Sequence, residues 1–177
     1  LDKPRFELLQ YKGNRPAPPP DNGKDTGMYF NAAGMHIELD SMHLMNGTFA
    51  LINHMRPHTV LPYFDDRFIQ CNHLDIAARK LSFIQDTIKA DMRLSTTERS
   101  GFTIKHLKSD FKLTPQMMEF KNLDIQTGGS HLEDYYAMTY QDFQEDMGDF
   151  TDKVHIKARF KNASVSSNDI AYFAPEL

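Results

Sequence analysis

A single cysteine, Cys71, excludes an internal disulfide, and that scarcity alone does not decide between a reducing compartment and an exported protein. No apolar run reaches the ~20 residues of a membrane-spanning helix. Positive charge is not in excess: the net charge is −4, which argues against a sequence-independent grip on nucleic acid, and no nucleic-acid partner is expected. Helical periodicity is scarce, and so is catalytic chemistry. Eight histidines are present, yet His54 and His58 are split by Pro57 and no third metal ligand stands near them. The remaining histidines mostly take the polar phase of strands, and His131 follows a Gly-Gly turn. The acidic clusters Asp65-Asp66, Glu133-Asp134 and Gln144-Glu145-Asp146 fall in loops or near strand ends with no catalytic partner. Cys71 lacks the histidine and asparagine context of a nucleophile and reads as a strand residue. The expectation is a protein without enzymatic activity, with no catalytic residue, metal or cofactor.

What is present is apolar and alternating. Hydrophobic residues make up 40% of the 177 and aromatics 11%, which argues for an ordered chain. Residues 1–12 hold a short strand, Arg5 to Tyr11. Residues 13–27 are rich in proline, glycine, asparagine and aspartate and read as a linker or long loop. Residues 28–177 form a β-rich module. In TIKADMRLS, Ile88, Ala90, Met92 and Leu94 alternate with polar residues, the signature of a strand with one dry and one wet face. VHIKARF repeats it with Val154, Ile156, Ala158 and Phe160.

Turn chemistry sets the predicted pairings. Asn46-Gly47 is a hairpin signal that would pair Leu44 with Phe49 and Met42 with Leu51. Gln85-Asp86 places Phe83 opposite Ile88. STTERSG would pair Leu94 with Phe102 and Met92 with Ile104. Thr114-Pro115 pairs Leu113 with Met118 and Phe111 with Phe120, and Gly128-Gly129 sets Ile125 opposite Leu132. Four segments carry apolar residues at i, i+2, i+5 and i+7: Ile37/Leu39/Met42/Leu44, Ile76/Ala78/Leu81/Phe83, Met118/Phe120/Leu123/Ile125 and Ala158/Phe160/Ala163/Val165. One extra residue between two alternating pairs fits a β-bulge, which restores the inward face and bends the strand. Helix is limited to one or two short turns, with Phe143, Met147 and Phe150 as the best candidate. The fold class is therefore mainly all-β: a curled antiparallel meander, groove-like, with one apolar face that must be buried on something. That candidate face comprises Leu44, Phe49, Leu51, Phe83, Ile88, Met92, Leu94, Phe102, Ile104, Phe111, Leu113, Met118, Phe120, Ile125, Leu132, Ile156 and Phe160. The ten methionines add soft, adaptable surface where they join it.

The stretch from Phe102 to Leu177 carries an ordered run of features: LDIQTGGSHL, a strand ending in Tyr140, a DF-rich connector, and VHIKARFKNASVSSNDIAYFAPEL. HLMNGTFALIN followed by FIQCNHLDIAARKLSF looks like a preceding repeat. From about Ile37 to Leu177 the chain resembles the AsmA/TamB-like (translocation and assembly module) proteins of Bacteroidetes-type bacteria. The resemblance implies an internal fragment of a long, inner-membrane-anchored envelope protein that crosses the periplasm and acts in outer-membrane biogenesis. It implies a taco-like β-groove that carries phospholipid acyl chains between membranes. It also implies partners: neighbouring repeats of the parent chain and the outer-membrane assembly machinery. The alternative is a structural module that assists outer-membrane protein assembly by strand pairing. On either reading YFAPEL is expected to be the seam to a following module, with Pro175 ending a strand.

Overall fold

The computed structural model describes residues 1–10, 31, 33–54, 61–65, 68–141, 146, 150–173 and 175. Eight strands follow one another in chain order: β1 (Arg5–Gln10), β2 (Ile37–Asn53), β3 (Phe68–Ile84), β4 (Thr87–Glu98), β5 (Thr103–Thr114), β6 (Met117–Thr127), β7 (His131–Thr139) and β8 (His155–Ser164). They form one open sheet in the order β1 to β8. β1 lies parallel to β2, and every later neighbour is antiparallel. A helical turn, α1 (Phe150–Lys153), precedes β8, and a short helix, α2 (Ser167–Phe173), follows it. The mainly β, open antiparallel meander expected from the alternation is the fold observed. β1 joins the same sheet as its first strand, so the expected separation of residues 1–12 is one of chain and not of sheet.

Three of the hairpins take their expected register. Phe83 faces Ile88, Leu113 faces Met118 with Phe111 opposite Phe120, and Ile125 faces Leu132. Two others do not. Asn46-Gly47 makes no hairpin, because β2 runs through it as one strand of 17 residues. Leu44 pairs with Ile76 and Phe49 with Cys71, and the register shifts on both sides of Gly47. Asn46 takes the left-handed conformation (φ 50°) that suits Asn-Gly to a bulge as well as to a turn. Its amide donates to Asp75 Oδ1 at 2.8 Å. A Cβ on Gly47 would lie 3.2 Å from the Pro4 carbonyl and 3.3 Å from that of Leu74, so the neighbouring strands close in on it. In the second case Leu94 pairs with Leu107 and Met92 with Ser109. The loop is tighter than expected, closed by Glu98 N–H to Phe102 O at 2.8 Å.

The bulge reading holds in three of its four segments. The register shifts between Arg79 and Ser82, between Lys121 and Leu123, and between the partners of His131 and Glu133 on β8. Lys80, Asn122 and Asn162 sit at these points with φ of 49–50°. In the fourth segment, β2 and β3 keep one register from Ile37 to Leu44. The C-terminal strand expectation is overturned: SNDIAYF is α2. Ser166 caps it, its Oγ accepting the Asn168 amide at 3.2 Å, and Asp169 follows three residues later. The candidate helical residues Phe143 and Met147 and the linker 13–27 lie outside the described residues.

Candidate functional site: an open apolar sheet face

Cross-strand register turns the scattered candidates into rows. One row runs through seven strands: Ile37, Phe83, Ile88, Leu113, Met118, Met138 and Ile156. A second joins Ala90, Phe111, Phe120, Tyr136 and Ala158. A third joins Leu44, Ile76, Leu94, Leu107, Ile125 and Leu132. Directly opposed side chains share a face, so each row is continuous across the sheet. Phe111 and Phe120 tilt together at 5.2 Å between ring centroids, and Tyr136 stands 6.3 Å from Phe120. Met92 lies between the second and third rows, opposite Ala78 and Ser109. Ser109 is the polar interruption, and it is satisfied: its hydroxyl donates to the Lys121 carbonyl at 2.9 Å.

Along the first row Phe83, Ile88, Leu113, Met118 and Met138 are only half-buried, while Ile37 and Ile156 are 39% and 52% exposed. The cause is topological. The strongest packing between the described elements is between neighbouring strands, and the side chains of this row keep much of their surface exposed. The residues that are fully buried there are small or central, such as Ala78, Ala90 and Leu107.

One end of the same face is closed. Along β4, Thr96 and Glu98 continue the alternation of Ile88, Met92 and Leu94, and both are buried. Thr96 faces Ile104, and Ile104 faces Thr127. α2 lies across this margin. Thr127 donates its hydroxyl to Asp169, the Ser166 amide donates to Ser130 Oγ at 2.9 Å, and Tyr172 donates its hydroxyl to Glu98 Oε2 at 2.9 Å. Phe102 stacks on Tyr172 at 4.5 Å and meets Phe173 edge-on at 5.2 Å, with Phe64 5.5 Å from Phe173. Burial alone would raise the Glu98 carboxyl, but hydrogen bonds from Ser100, Tyr172 and the Gln70 amide bring it below its ordinary value. Burial pushes the Tyr172 hydroxyl up to about 12. Beside this margin burial also raises the Cys71 thiol, with a smaller opposing contribution from Thr96, so the site does not favour a thiolate nucleophile.

The candidate list therefore divides. Leu44, Phe83, Ile88, Leu94, Phe111, Leu113, Met118, Phe120, Ile125, Leu132 and Ile156 stand in the long rows, and Met92 lies between two of them. Phe49 and Leu51 fall nearer β1, opposite Phe6 and Leu8. Phe160 is set opposite Asp134 at the β8 edge. Phe102 leaves the groove, because it lies in the β4–β5 loop under α2, and Ile104 lies at the closed margin. Ile37, Ile76, Ala90, Leu107, Tyr136, Met138 and Ala158 join the rows beyond the expected face. Leu107 was hidden by the extra β5 residue that shifts register between Leu94 and Thr96. Tyr136 was hidden by its hydroxyl. The arrangement presents a continuous apolar surface across neighbouring strands. No helix among the described residues is long and apolar enough to cross a membrane. No family model, curated protein or solved structure matches this chain.

Proposed function

We propose that the open apolar face receives phospholipid acyl chains, and that the chain is a segment of a periplasm-spanning, inner-membrane-anchored envelope protein of the AsmA/TamB-like kind. The observation that carries the reading is the seven-strand apolar row left half-exposed. An apolar surface of this continuity is unusual unless it meets a partner. Each methylene fully buried against it contributes up to about 0.8 kcal/mol, so a long acyl chain laid along the rows would be retained. Headgroups would remain at the wet rim, and no acid, base, metal or cofactor is needed for carriage. We read the protein as non-enzymatic.

The test is native mass spectrometry of the chain purified without detergent, with lipid analysis of an organic extract. Phospholipid in defined stoichiometry, lost in Met92→Lys and Phe120→Glu, is the expected result. A clean apo mass that stays apo after incubation with phospholipid vesicles overturns it.

A second reading has its own support. β1 and β8 end the sheet without further partners among the described strands, and β8 is exposed along all ten residues. Unpaired edges recruit other strands. On this reading the segment assists outer-membrane protein assembly by strand addition, and neighbouring repeats or client strands occupy the edges. Protection of β8 amides from hydrogen exchange on adding a client peptide, with no lipid bound, would favour it.

A further inference from the structure

The wet face of the sheet holds a side-chain cluster that strand alternation does not require. His106 on β5, Asp124 on β6, and His131 and Glu133 on β7 project from three adjacent strands, away from the apolar rows. Register explains the meeting: His106 faces Gln126, Gln126 faces His131, and Asp124 faces Glu133 one step along. Both histidines aim Nε2 at one oxygen. His131 Nε2 lies 2.9 Å and His106 Nε2 3.0 Å from Asp124 Oδ1. His131 Nε2 is also 3.5 Å from Glu133 Oε1. The ligand atoms of Asp124, His131 and Glu133 all lie within 4.8 Å of one another.

We propose that His106, Asp124, His131 and Glu133 form a binding site for a divalent transition-metal ion on the polar face of the sheet. A tetrahedral ion with ligand bonds near 2.0–2.1 Å sets its ligand atoms about 3.3 Å apart. The separations of 2.9 and 3.5 Å within the compact set Asp124, His131 and Glu133 bracket that value, and His106, 3.0 Å from Asp124, completes the set by turning toward the ion. Two imidazoles with two carboxylates favour zinc, nickel or copper over calcium or magnesium, which take oxygen ligands. An outer partner is already in place: Asn162 Nδ2 on β8 donates to the other Glu133 oxygen at 3.4 Å. Such support orients a carboxylate ligand. Lys108 stands opposite Asp124, and its charge lessens any general attraction for cations, so selectivity falls to the imidazoles. Binding would tie β5, β6 and β7 together and, through Asn162, the edge strand β8. The site shares no residue with the apolar face, so it stands or falls independently of lipid binding.

The experiment is calorimetric titration of the tag-free, chelator-treated chain with Zn²⁺ at neutral pH, with Ca²⁺ and Mg²⁺ as comparison ions. A Co²⁺ absorption spectrum reports geometry. The expected result is one saturable Zn²⁺ per chain and the intense visible bands of tetrahedral Co²⁺. His131→Gln and Asp124→Asn should each weaken Zn²⁺ by at least about tenfold, while His155→Gln on exposed β8 should leave it unchanged. All four ligands are at least one-third exposed, so these variants keep the fold, and circular dichroism checks it. Absence of saturable binding up to about a hundred micromolar would overturn the site. So would binding that survives both ligand substitutions, or that is lost equally in His155→Gln.

Discussion

The two ends of the apolar face are built from the same strands yet finished in opposite ways. At the α2 end, Thr96, Glu98, Thr127 and Ser130 are buried, each is bonded, and a helix with two aromatic rings lies over them. Toward the other end, Ile37, Phe83, Ile88, Leu113, Met118, Met138 and Ile156 form an apolar row that stays half-exposed or exposed. At the α2 end the buried polar groups are bonded under a cover, whereas the side chains of the first row are half-exposed hydrocarbon, with bonded polar groups such as Asn31 and Asp86 buried only at its flanking turn. Leaving polar groups buried without partners would cost far more than leaving methyls in water. The closed end is built for stability, and the open end is the surface to which the proposed binding is assigned.

The largest test of that division is Tyr172→Ala. It removes a buried ring, its stacking on Phe102 and the donor to Glu98, and the expected loss is about 3 kcal/mol in urea unfolding. Bound lipid per folded chain should not change. If the variant retains wild-type stability, the closed end is not the brace assigned to it. The complementary change is Phe120→Glu in the open rows. Because Phe120 is half-exposed, about 1 kcal/mol of stability is at stake, whereas retention of lipid should fall to background. An equal loss of both properties would erase the distinction between the ends.

A pH experiment sharpens it further. The folded Glu98 carboxyl lies below its ordinary value of 4.5. Its contribution is therefore present above that value and is lost as pH falls through the lower, folded one. Glu98→Gln should be less stable than wild type near neutrality by roughly 1–2 kcal/mol, and the gap should narrow below about pH 4.5. A gap that is constant between pH 7 and pH 3 would mean that the carboxylate charge does not hold α2.

Much of the sheet was legible because period-two alternation and two-residue turns are local signals. Gln85-Asp86, Thr114-Pro115 and Gly128-Gly129 each fixed a register from a few residues. Asn46-Gly47 misled because a left-handed Asn before Gly serves a bulge and a turn alike. The choice was made by Pro4 and Leu74, which crowd the glycine and are distant in sequence. α2 was read as strand because its apolar residues suggested a seam. The capping pair Ser166 and Asp169 was the available signal. His131 and Glu133 stand out in the sequence as polar strand residues, but their meeting with His106 and Asp124 does not. His106 and His131 meet only through two hairpin registers and an extra residue on β5, and sequence spacing carries none of that.

The finest test bears on how the open rows stay continuous. Asn122 sits at a bulge with φ 49° and donates to Asp110 Oδ2 at 2.6 Å. The bulge lets both Phe120 and Leu123 serve the apolar face although they are three residues apart. Asn122→Val puts a β-branched side chain where the left-handed region is strained and removes the hydrogen bond, so about 1–2 kcal/mol should be lost. Asn122→Gly keeps the backbone conformation without strain and should cost less. If the rows matter as a continuous surface, Asn122→Val should also lower lipid retention while Asn122→Gly should not, since only the former pushes β6 toward regular alternation. Identical behaviour of the two variants would show that the bulge is a local accommodation with no bearing on the face.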